Sequence, residues 1–77
     1  MVDERLAKVV TQALRIDADL VKPELACGSI PAWDSLGHLS LFMQLERQFK
    51  IRFTTGEITQ TETLQQIQDM LAQRGVL

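Results

Sequence analysis

Leu6, Val9, Val10, Ala13 and Leu14 recur at three- and four-residue spacing, so residues 3 to 15 predict an amphipathic helix with Asp3 and Glu4 well placed in its first turn. From Asp17 to Trp33 the periodicity dissolves around Pro23, Gly28, Ser29 and Pro31, leaving Leu20, Val21, Leu25 and Ile30 as scattered anchors of a long loop. Loops of this kind tend to be functional or held down by their own side chains. The pattern resumes from Ser35 to about Phe49, where Leu39, Phe42, Leu45 and Phe49 form an apolar stripe broadened by Leu41. Asp34 or Ser35 can accept hydrogen bonds from the free amides of that helix, and Lys50 at its far end suits the helix dipole. Ile51-Arg52-Phe53 alternates like a strand, but so short a run without a partner makes no sheet, and it reads as an extended connector burying Ile51 and Phe53. Thr54, Thr55 and Gly56 read as a turn, and Glu57 to Gln60 as a short helical turn anchored by Ile58. Thr63 with Gln66 is a capping-box signature, and Leu64, Ile67, Met70 and Leu71 give the last helix its stripe before Gly75 ends it. The expected fold is all-α: one domain over residues 1–77, a small three-to-four-helix bundle with a long first loop.

Size and charge narrow what such a bundle can do. A chain of 77 residues buries only roughly 60% of its unfolded surface, which leaves little room for a deep catalytic cleft. Apolar residues make up 45% and charged residues 23%, a balance that argues against disorder. The formal net charge of −2 and the absence of any basic run longer than Lys50-Ile51-Arg52 speak against nucleic acid as a partner, including recognition by a helix-turn-helix. No segment approaches the roughly 18 apolar residues of a membrane span. The opening Met1-Val2-Asp3-Glu4-Arg5 leads into no pure apolar run, so no signal peptide is expected. A single cysteine, Cys27, rules out an internal disulfide and fits a reduced, cytoplasmic setting, where it reads as a buried or loop thiol. One histidine and one cysteine cannot complete a zinc site.

The remaining chemistry gathers at Trp33-Asp34-Ser35-Leu36. Ser35 stands where unpaired amides and the positive end of the helix dipole stabilise an anionic group by roughly 0.3 to 1 kcal/mol when exposed. On position alone the ordinary helix cap is the favoured reading, since serine and aspartate are preferred at any helix start. A hydrolytic role is excluded: the only histidine, His38, lies three residues on along the same helix and reads as a solvated imidazole, and no nucleophile elbow is present.

Asp34-Ser35-Leu36, preceded by a Pro-containing loop and followed by Leu39, Leu41, Phe42, Leu45, Glu46, Phe49 and Ile51, resembles the phosphopantetheine-attachment motif of the acyl and peptidyl carrier protein family. The likeness extends over nearly the whole chain in helix order and length. It implies that Ser35 is esterified by 4′-phosphopantetheine, delivered from coenzyme A by a separate phosphopantetheinyl transferase. It implies no catalysis by the chain itself. The carrier would hold an acyl or aminoacyl group as a thioester and present it, as a monomer, to an activating ligase, ketosynthase or acyltransferase of a fatty acid, polyketide or nonribosomal peptide pathway. Asp34 matches the family's aspartate beside the serine, as a cap or as a transferase or magnesium contact, and Leu36 matches its exposed contact for partner enzymes. The alternative is an unmodified helical protein-interaction module.

Departures from the family's pattern shape the expectation further. Ala32 stands where the family often has glycine, and Trp33 after it reads as a shield between loop and helix or as a flank for the arm. Gly37 replaces a common acidic residue, and close approach of a partner or of the arm would compensate its cost of roughly 1 kcal/mol relative to alanine. His38, Ser40, Gln44, Glu46, Arg47 and Gln48 are expected on the exposed face of helix two, which lacks the acidic stripe of the fatty-acid carriers. A stand-alone carrier of a specialised pathway follows, recognised through Leu36, Met43 and Arg47. A cargo cavity between helix two and the last helix would be lined by Phe42, Met43, Ile58 and Leu64.

Overall fold

A computed structural model describes residues 2–77, so Met1, the first residue of the leader reading, lies outside the described residues. Four helices follow one another: α1 Glu4–Leu14, α2 Ser35–Phe49, α3 Thr55–Gln60 and α4 Leu64–Gln73, with a 3₁₀ turn at Ala18–Leu20 in the first loop. The all-α bundle is the fold that the periodicity predicts, and no strand forms among the described residues beyond an isolated bridge between Ala26 and Thr63.

Each helix begins on a side-chain cap. Asp3 accepts the Arg5 amide at 2.9 Å for α1, and Thr63 with Gln66 forms the expected capping box for α4. A second capping box, Thr54 with Glu57, starts α3 at Thr55, so the predicted turn at Thr54–Gly56 is instead the cap and first residues of that helix. α1 and α2 both end on a residue at φ 56, Arg15 and Lys50, whose amides return to Thr11 and Glu46 in the left-handed cap usually given to glycine. The core is a single cluster of Leu6, Val9, Val10 and Leu14 from α1, Leu41, Phe42 and Leu45 from α2, Phe53 from the connector, and Leu64, Ile67 and Leu71 from α4, completed by Trp33 from the loop.

The loop is tied down by backbone rather than by its apolar anchors alone. Cys27 N–H donates to the Glu62 carbonyl at 2.8 Å, and Leu64 and Gln65 donate to Leu25 and Pro23, all at the start of α4. Val21, Leu25 and Ile30 pack against the core, whereas Leu20 is exposed and anchors nothing.

The α2 stripe keeps Leu41, Phe42 and Leu45 buried and Phe49 against the core as predicted, but its first member shifts from Leu39 to His38. Its buried set is His38, Leu41, Phe42 and Leu45, while Leu39 is half exposed. Trp33 explains the shift: it is fully buried and its indole N–H needs an acceptor, which an imidazole supplies and a leucine cannot. Nor is Glu46 a solvated surface residue, because its carboxylate accepts the Phe53 amide at 2.8 Å and fixes the connector to the helix.

Candidate functional site

The candidate site is the first turn of α2. Asp34 is extended (φ −99, ψ −167), which aims its carboxylate back over the helix end, where Oδ1 accepts the Gly37 amide at 2.8 Å. The cap is therefore Asp34. Ser35 is exposed, and its hydroxyl takes part in no hydrogen bond among the described residues. Its own amide and that of Leu36 are the first two of the helix and have no carbonyl of the same helix to bond. An anion carried on Ser35 Oγ would meet these donors and the positive end of a helix four turns long.

Gly37 belongs to this construction. A β-carbon there would overlap the Ala32 carbonyl oxygen and lie 3.3 Å from Leu14 Cδ2. The close approach that a glycine allows is thus made by the chain's own loop, not by a partner or an arm.

His38, expected to be solvated, is buried at 8% exposure and bonded through both ring nitrogens. Trp33 Nε1–H donates to Nδ1 at 2.9 Å, which places the proton of the neutral ring on Nε2, 2.7 Å from the Ile58 carbonyl. The ring lies 4.9 Å from Phe42, which meets Phe53 edge-on at 4.9 Å, and Arg74 caps the row 4.9 Å above Phe53. Trp33, fully buried, is accordingly a structural shield and is not exposed to flank an arm.

Beside Ser35 a groove of about 560 Å³ runs between α2 and α3, lined by Cys27, His38, Leu39, Ile58, Thr61 and Glu62 among others. It lies on α3 rather than between α2 and α4, where a cargo cavity would have been sought. Of the four residues that would line such a cavity only Ile58 reaches the groove, because Phe42 and Leu64 are core and Met43 is 64% exposed on another face. Cys27 is an exposed loop thiol on the groove wall; partial desolvation first, and the Asp34 and Glu62 charges next, push it above its ordinary value. It stays protonated and weakly nucleophilic at neutral pH.

On the neighbouring face of α2, Leu36, Met43 and Arg47 come together around a shallow hollow with Leu39, Ser40 and Gln44. Leu36 is 77% exposed, so it does not fold onto the loop anchors. Leu39 is the member that the sequence reading assigned to the core. Among the described residues no helix is long and apolar enough to cross a membrane. No protein-family model matches the chain.

Proposed function

We propose that this chain is a carrier protein that bears 4′-phosphopantetheine on Ser35 and acts as a substrate of partner enzymes rather than as an enzyme. The observation that carries the reading is the division of labour at α2: Asp34 satisfies the helix end, and the adjacent Ser35 hydroxyl is exposed and unbonded. The residues fit a phosphodiester there, because the two leading amides of α2 point to the same helix end and no carboxylate other than that of Asp34 caps it. Part of the Asp34 charge is already engaged by the Gly37 amide, which lessens its repulsion of a phosphate.

When bound, the arm supplies a terminal thiol that holds an acyl or aminoacyl group as a thioester on a flexible tether, raising its effective concentration at successive active sites. The chain supplies position and recognition. Leu36, Met43 and Arg47 form the docking face for the phosphopantetheinyl transferase and for an activating ligase, ketosynthase or acyltransferase of a specialised pathway. A cytoplasmic monomer, with Cys27 reduced, is part of the same reading. Incubation with coenzyme A and a promiscuous phosphopantetheinyl transferase should add one phosphopantetheine to the intact mass, and Ser35→Ala should abolish it. A chain that gains no mass is not a carrier.

The exposed apolar face of Leu36, Leu39 and Met43 also favours a second reading, an unmodified interaction module. That module would bind its partner equally well with Ser35→Ala.

A further inference from the structure

We infer that His38 is a specificity-determining residue: it bars the seam between α2 and α3, so the cargo is a short or polar acyl group that stays in the surface groove and not a long hydrocarbon chain drawn into the core. The inference rests on the attachment of the arm at Ser35. His38 lies one turn after Ser35 and forms the floor of the groove that begins there.

An alkyl chain entering the core from this groove must pass the His38 ring, and both nitrogens of that ring are committed and its inner side is packed. Nδ1 accepts the Trp33 indole N–H at 2.9 Å, Nε2–H reaches the Ile58 carbonyl at 2.7 Å, and Phe42 packs 4.9 Å from the ring. The bond to Ile58 ties α3 to α2, and the bond to Trp33 ties both to the loop. Swinging the ring aside would leave the Trp33 N–H, which is fully buried, with no acceptor. The two aromatic side chains against the ring, Trp33 and Phe42, are themselves at most 1% exposed, so the ring stands between the groove and the core. The groove itself is open to solvent, with Cys27, Thr59, Thr61 and Glu62 beside Leu39 and Ile58, so a chain lying in it stays in contact with water.

The test loads the full chain with butanoyl- or dodecanoyl-phosphopantetheine from the corresponding coenzyme A thioesters, with intact mass read first. Two readouts follow. The indole N–H resonance of Trp33, the single tryptophan, should be the same with either chain. The hydroxylaminolysis rate of each thioester, divided by that of the same acyl group on coenzyme A, should agree between the two chains to within about twofold, because neither is withdrawn from water. His38→Ala should open the seam and slow dodecanoyl cleavage alone by about fivefold or more. His38→Gln, which can accept from Trp33 and donate to Ile58, should restore the wild-type ratio even if the alanine variant folds poorly. A shifted indole resonance and protected dodecanoyl thioester in the wild-type chain would overturn the inference while leaving the attachment intact. Absence of any mass addition would overturn both.

Discussion

The Asp34 carboxylate accepts the Gly37 amide at 2.8 Å, and Ser35, which lies between them in the chain, contributes nothing to that bond. The cap and the proposed modification site are therefore neighbouring residues with separable roles. Asp34→Ala should cost about 0.5–2 kcal/mol of stability, the usual loss of an aspartate cap. Ser35→Ala should leave stability within about 0.5 kcal/mol of wild type, as for an exposed side chain with no partner. Urea denaturation of the two variants checks this, and a Ser35→Ala loss equal to that of Asp34→Ala would mean that the serine is part of the cap.

Gly37 gives a prediction of unusual sign. In an open helix, glycine to alanine gains roughly 1 kcal/mol. Here the added carbon overlaps the Ala32 carbonyl oxygen, which belongs to backbone and cannot swing away. Gly37→Ala should therefore destabilise by about 1–3 kcal/mol, as overpacking does. A raised thermal midpoint would show that the loop shifts freely.

How far the sequence could be read follows the range of the interactions involved. α1, α2 and α4 are readable because a helical period and a cap are local, and the start of α2 at Asp34-Ser35 is readable for the same reason. α3 begins two residues earlier than expected because the Thr54 and Glu57 box straddles Gly56, and the glycine drew the reading toward a turn. The inward turn of His38 depends on Trp33 and on Ile58, twenty residues away in the chain, so no pattern within α2 announces it. The need for glycine at position 37 arises from Ala32 and Leu14 and is equally invisible in the helix itself.

Glu57 links pH to stability. The Thr54 amide first, and the Arg74 guanidinium next at 2.7 Å, hold its carboxyl below the usual carboxylate range. A carboxyl lowered in the folded state contributes stability that is complete above its unfolded value of about 4.3 and is lost as pH falls through the lower folded value. Glu57→Gln keeps a capping-box side chain but lacks this titration. The thermal midpoints of wild type and variant should differ near neutral pH and converge in the acid range. A difference independent of pH would mean that the ion pair contributes nothing.

The proposed docking face makes a prediction about recognition alone. Leu36 and Met43 are 77% and 64% exposed, so Leu36→Asp and Met43→Asp should each change stability by no more than about 0.5 kcal/mol. Each should slow phosphopantetheinyl transfer by about tenfold or more if the exposed side chain is an anchor at the enzyme interface. Transfer at the wild-type rate in both variants would move the docking face elsewhere.

The central claim is that Ser35, among three serines at positions 29, 35 and 40, is the modified one. Ser29 is already engaged with the backbone of Ala26, its hydroxyl donating at 2.6 Å, and Ser40 lies within α2. Fragmentation of the intact transferase-treated chain in a mass spectrometer settles the position. The account predicts a single added phosphopantetheine bracketed by fragment ions between Asp34 and Leu36. An addition at Ser29 or Ser40, or none at all, would contradict it.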